Sequence, residues 1–173
     1  GNLPKQRYTG LAYREMIDRE AVYIRLDDDV IYIHEATIEN LVRARIERPD
    51  PTAIFPIIIN NAICSYFLQA CGKVPREWGE VGMYCMDHIG WANGPFAIKL
   101  HELFLDHIER GAVEDLYLYQ DMPIKLGEQF SVSCFASLGS MYADLPKGPG
   151  VLVPDEEEHW HTVHQPRRIG SPN

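Results

Sequence analysis

Three consecutive aspartates, Asp27-Asp28-Asp29, stand between two apolar, β-rich runs, Val22 to Leu26 and Val30 to Ile33. Carboxylates in such surroundings are costly to bury unless a cation or several hydrogen-bond donors face them. Their hard oxygens suit Mg²⁺ or Mn²⁺. Alternate residues of an extended chain share one side, so Asp27 and Asp29 are the expected metal contacts, with Asp28 between them in the same cofactor-binding turn. The competing reading is a solvated turn, where acids are common.

A second acidic block, Asp155-Glu156-Glu157-Glu158-His159-Trp160, lies near the C-terminal end of the sequence. Acids at a helix start complement its dipole, which is the plain reading. The functional one is that Asp155, Glu156 or Glu157 takes a proton from an attacking hydroxyl. His159, His161 and His164 follow closely, but no cysteine partner or HExxH helix supports a zinc site. Trp91, Asn93 and Gly94 precede a strongly patterned helix whose first amides could receive a substrate hydroxyl or phosphate. An aromatic ring there also suits the apolar face of a sugar, although Trp78 and Trp91 equally fit ordinary packing. No P-loop or GxGxxG pattern is present.

The elements that must position these residues follow from periodicity. A helical stretch is expected from about Leu11 to Arg19. Val22 to Leu26 reads as a strand ending at the aspartates, and substrate sites of open α/β sheets lie at the carboxyl ends of strands. Glu35 to Arg48 reads as an amphipathic helix with Ile38, Leu41, Val42 and Ile46 on one face, stopped by Pro49 and Pro51. Ala53 to Ile59 is a continuous apolar run, expected to be a strand buried on both faces of an α/β sheet. Ala62 to Ala70 is expected to be helical and closed by Gly72. A long Gly-, Pro- and Trp-containing loop runs from Lys73 to Gly94. A helix then starts around Pro95, ends at Gly111, and lines one side with Phe96, Leu100, Leu103, Phe104 and Ile108. Gln129 to Phe135 reads as a short strand.

The 173 residues are read as one domain of α/β class, large enough for a real core. The formal charge of -9 argues against general affinity for nucleic acid, which needs a basic surface. One phosphorylated small molecule is still compatible, because a metal ion inverts the local charge of an acidic pocket. No apolar stretch is long enough to span a bilayer, and no signal segment opens the sequence. Cys64, Cys71, Cys85 and Cys134 lack CxxC spacing and read as buried free thiols, which favours a reducing, cytoplasmic setting.

The stretch VYIRLDDDVIYIHEATIENLVRARIERP resembles the central segment of GT-A-type, nucleotide-sugar-dependent glycosyltransferases, in which a strand ends in an Asp-x-Asp motif and a helix follows. It is especially similar to a poorly characterised group of glycosyltransferase-like proteins of fungi and microbes. These share the DDD strand, an asparagine-ended strand like IIINNAI, a WANG-like helix start and a DEEEHW-like block. The likeness spans roughly Tyr13 to Asn173. It implies a partial GT-A-like, Rossmann-like mixed sheet flanked by helices. Asp27 and Asp29 would correspond to the acids that hold Mn²⁺ or Mg²⁺ against the diphosphate of a nucleoside-diphosphate sugar. Asp155, Glu156 or Glu157 would correspond to the base that activates a hydroxyl acceptor. His161 and His164 are imperfect counterparts of a further metal-ligating histidine.

Only 26 residues precede Asp27, against roughly a hundred expected for a nucleotide-binding βαβ half. The chain is therefore expected to be the central and C-terminal part of a catalytic domain. A membrane anchor on a parent chain would place it in the Golgi lumen instead of the cytoplasm. Two other readings stand beside the glycosyltransferase: a non-catalytic glycan- or protein-binding remnant of that fold, and a metal-dependent phosphoester hydrolase built on the same acids and histidines.

Overall fold

The computed structural model describes residues 15–50, 53–121 and 133–143, which divide between two compact units. The first unit holds residues 15–50, 53–56 and 133–143; the second holds residues 57–121.

In the first unit, Val22, Tyr23 and Ile24 supply the β-branched and aromatic side chains that favour pleated structure, and strand β1 covers Val22–Leu26. It pairs antiparallel with β2, Cys134–Leu138, in the register Val22 with Leu138 through Leu26 with Cys134. On the other edge of β2, Ile54 makes a single bridge, exchanging backbone hydrogen bonds of 2.9 and 2.8 Å with Ala136. β2 is accordingly the buried strand, and β1 is only half-buried. Phe135, Met141 and Tyr142 form the core of this unit, with Met16, Ala53, Phe55 and Leu138 packed against them. The chain turns directly after β2 at Gly139, whose amide donates to the Ala21 carbonyl at 2.9 Å. A Cβ at that position would lie 1.7 Å from the Asp18 carbonyl oxygen, so the close approach of the two backbones requires glycine.

Helix α1, Thr37–Glu47, packs on this sheet. Its buried positions are Leu41 and Arg45, one turn apart, while Ile38 and Ile46 are exposed. The expected apolar face of Ile38, Leu41, Val42 and Ile46 is thus rotated toward Arg45. Arg45 donates to the Pro49 carbonyl and lies near Asp50 and Tyr142, and its pKa is lowered by burial. The guanidinium is held in the core by groups at and beyond the helix end, which a pattern of apolar positions does not register.

The second unit is helical. Helix α2, Ala62–Ala70, begins at Asn61, whose side chain accepts from the Cys64 amide, and Gly72 with φ 72° follows its C-cap. Helix α3, Gly94–Glu109, is capped by Asn93 and ends before Gly111, with φ 63°. Phe96 and Leu100 from α3 meet Ala62, Leu68, Val74, Val81 and Leu116 in one core, with Leu103 and Phe104 beside it.

Helices and strands both occur, so the class is mixed α/β. Several expectations are corrected. Ala53 to Ile59 is no continuous strand: only Ile54 pairs, and Pro56, which has no amide to donate, interrupts the ladder. The run is apolar because Ala53 and Phe55 pack in the first unit's core, whereas Ile57 and Ile59 pack in that of the second. Consequently, the described residues form a two-stranded antiparallel sheet, and no Rossmann-like parallel sheet occurs among them. Residues 15–19 are not helical, and residues 11–14 of that expected helix lie outside the described residues. The later strand begins at Cys134, with residues 129–132 also outside.

Candidate functional site

β1 delivers the aspartates to a turn at its carboxyl end, as its sequence predicts. The Asp27 amide donates to the Ser133 carbonyl at 2.9 Å, one residue beyond the Leu26–Cys134 pair, so β2 anchors the start of the turn. Asp27 is partly buried, and its carboxylate accepts a hydrogen bond from the Arg25 guanidinium in an ion pair. Asp28 and Asp29 are exposed. The pair is a consequence of strand geometry, because residues two apart project from the same side. Arg25 was legible by the alternation argument that paired Asp27 with Asp29, and sequence reasoning passed over it. The Cys134 thiol beside this pair is pushed up in pKa by burial, with Arg25 opposing the shift and Asp27 adding to it.

Two carboxylates in one turn supply hard oxygen donors, and Mg²⁺ is commonly held by one or two carboxylates together with substrate phosphates. Asp27 and Asp29 are chemically suited to such an ion. No group of three or more histidines, cysteines, aspartates or glutamates is placed to hold a metal among the described residues. Asp155, Glu156, Glu157, His159, His161 and His164 all lie outside them.

The second set of expected residues is largely engaged in folding. The Asn93 side chain accepts from the Phe96 amide at 3.0 Å, and its carbonyl accepts from the Ala97 amide at 3.0 Å. Pro95 has no amide. Of the first helical positions, only the Gly94 amide is left to face a ligand, so the expected anion site at the start of α3 is mostly consumed by its own cap. Trp91 is 64% exposed and available for stacking. Trp78 instead packs beside the second core, with the Lys99 ammonium 5.7 Å from its ring centroid.

The long loop between α2 and α3 is organised by two residues to which sequence reasoning gave no role. Gln69 donates to the carbonyls of Pro75 (3.2 Å) and Gly79 (2.7 Å) and accepts from the Val81 amide at 3.0 Å. The Asp87 carboxylate accepts from the amides of Gly82, Ile89 and Gly90. Burial alone would raise its pKa, but those amides and nearby His88 hold it below the ordinary aspartate value. The loop also contains a 3₁₀ turn at Arg76–Trp78. Lys73 reaches across to the Asp115 and Tyr117 carbonyls at 2.6 and 2.7 Å.

His107 is buried, with Nδ1 2.7 Å from the Leu103 carbonyl, and exposed His101 has the corresponding contact with Ala97. All four cysteines are free thiols. They are not uniformly buried as expected: Cys134 is buried, Cys64 and Cys85 are half-buried, and Cys71 is exposed. Cys71 stands at the C-cap of α2, beyond the helix's buried positions Ala62, Ser65, Leu68 and Gln69. No helix among the described residues is long and apolar enough to cross a membrane.

Compared with models of protein families, with curated proteins and with solved structures, the chain matches none.

Proposed function

We propose that this chain is part of a metal-dependent glycosyltransferase, acting on a nucleoside-diphosphate sugar and a hydroxyl acceptor. The observation that supports this reading best is the position of Asp27-Asp28-Asp29: a turn directly at the carboxyl end of β1, with Asp28 and Asp29 facing solvent. Asp27 and Asp29 would hold Mn²⁺ or Mg²⁺. The ion supplies Lewis-acid stabilisation of the charge that grows on a departing nucleoside diphosphate. Arg25 orients the Asp27 carboxylate, and the bond from the Asp27 amide to Ser133 fixes the start of the turn. In this reading one of Asp155, Glu156 and Glu157 serves as the base toward the acceptor.

Isothermal titration with Mn²⁺ and with uridine or guanosine diphosphate tests the reading, with Asp29→Ala as control. Metal-dependent nucleotide binding that disappears in the variant is the expected result. Absence of binding, or binding that survives the substitution, refutes it.

The Arg25–Asp27 ion pair favours a second reading, a non-catalytic glycan- or protein-binding remnant of the same fold, because a cation of the protein already occupies one of the two carboxylates. It is distinguished by the absence of sugar-nucleotide turnover in the presence of Mn²⁺.

A further inference from the structure

Immediately after the acidic turn, Val30, Ile31, Tyr32 and Ile33 form the longest run of consecutive exposed large apolar residues among those described, and Ile31 is 99% exposed. The segment belongs to no helix and no ladder. Isolated exposed apolar side chains are ordinary on protein surfaces, whereas a contiguous run marks a place where something docks. These side chains are β-branched or aromatic, the types that fit a pleated, half-buried surface.

The charges around the run define its occupant. Asp28 and Asp29 precede it and Glu35 follows it, all exposed and in no ion pair among the described residues. Nearby arginines are committed elsewhere, Arg25 to Asp27 and Arg43 to Glu39. A second copy of the chain is a poor partner. Parallel in-register pairing would set Asp28 and Asp29 against themselves, and antiparallel pairing centred on the run would set Asp28 against Glu35. Like charges directly opposite each other destabilise a strand pair. A partner with apolar alternate positions and basic ends meets both demands.

We propose that residues 30–33 are a docking strand for an extended peptide segment of another protein, with a β-prone apolar centre and lysine or arginine at both ends. Strand addition supplies main-chain hydrogen bonds, and the apolar side chains supply area. The acidic flanks select the charge and make the association sensitive to salt. This goes beyond the glycosyltransferase reading and does not rest on it, since it requires neither a metal ion nor a nucleotide.

The test uses fluorescein-labelled peptides with blocked termini, one carrying a Val-Thr-Val-Thr-Val centre between paired lysines and one carrying the same centre between paired glutamates. Fluorescence anisotropy is measured with the whole chain at low and raised salt. The lysine-ended peptide binds, more weakly in salt, and the glutamate-ended peptide does not. Ile31→Glu weakens binding by at least about tenfold, as loss of one buried isoleucine contact predicts. Ile31→Ser does the same, and both variants keep the circular dichroism spectrum and urea midpoint of the parent. Asp28→Asn with Glu35→Gln weakens binding severalfold and flattens its salt dependence. Asp27 and Asp29 are untouched by these changes, so a failed metal titration and a failed peptide titration are separate outcomes. Equal binding of both peptides overturns the proposal, as does undiminished binding by both Ile31 variants. Self-association of the chain that Ile31→Glu abolishes also overturns it, in favour of a second copy.

Discussion

Replacing Gln69 by leucine removes the principal organiser of the loop between α2 and α3 while nearly conserving side-chain volume. The parent amide is buried and makes three hydrogen bonds, to the carbonyls of Pro75 and Gly79 and from the amide of Val81. The Val81 bond weighs most, because that N–H is buried and has no water to turn to once its acceptor is gone. An unsatisfied buried donor costs about 1–3 kcal/mol, and each carbonyl bond contributes about 0.5–1.5 kcal/mol net. Leucine fills most of the space, so a cavity adds little. The expected loss is about 2–6 kcal/mol, a large share of the ~5–15 kcal/mol available to a domain.

Urea unfolding followed by tryptophan fluorescence reads this loss directly, since Trp78 lies between the two carbonyls that Gln69 holds. Hydrogen exchange at the Val81 amide reads it locally. Gln69→Glu sharpens the test. It keeps an acceptor for Val81 but sets a carboxylate oxygen against two carbonyl oxygens, so it is also destabilising, and the deficit shrinks at acid pH as the protonated acid regains a donor. A loss under about 0.5 kcal/mol for Gln69→Leu, the size of an ordinary surface change, refutes the role assigned to Gln69. So does unchanged exchange at Val81.

Gly139→Ala forces a methyl against the Asp18 carbonyl oxygen, and thermal melting should show a loss of at least about 2 kcal/mol with rearrangement of the β1–β2 end. Asp87 has a depressed pKa in the folded state, so its contribution is full above the unfolded-state value and is lost as pH falls through the lower folded value. Asp87→Asn should therefore flatten the acid limb of a pH–stability profile, and an unchanged limb counts against the assignment. Thiol labelling read by mass spectrometry should modify exposed Cys71 first, and half-buried Cys64 and buried Cys134 after it. Burial pushes the Cys64 thiol up to about 11 and leaves little thiolate at neutral pH. Labelling of Cys64 as fast as that of Cys71 contradicts the raised pKa of its thiol.

What the sequence reveals divides along the range of the interactions. The helices at Thr37–Glu47, Ala62–Ala70 and Gly94–Glu109 are readable from apolar spacing and from the proline and glycine residues near their ends. Strand β1 was readable from five consecutive residues. Its partner was not, because pairing Leu26 with Cys134 is a contact across more than a hundred positions that no local pattern encodes. The run from Ala53 to Ile59 misled for a related reason. A continuous apolar run looks the same in sequence whether it is one strand buried on both faces or two successive halves buried in separate cores. Arg45 shows the converse, a charged residue buried through groups at and beyond its helix end.

The aspartate turn illustrates how placement and role separate. Strand termination fixes where the acids lie, but what they do depends on the charge each one faces. Asp27 faces Arg25, so Asp27→Asn also removes the ion pair of a largely buried guanidinium and alters β1 together with any ion site. Asp29 is exposed and in no ion pair among the described residues, so Asp29→Asn changes one charge and little else. If the turn holds a divalent cation, Mn²⁺ affinity should fall in both variants, while the urea midpoint should fall for Asp27→Asn alone. Equal stability loss in both would mean that Asp29 has a structural partner. Unchanged affinity in both would leave the turn a solvated end of a strand.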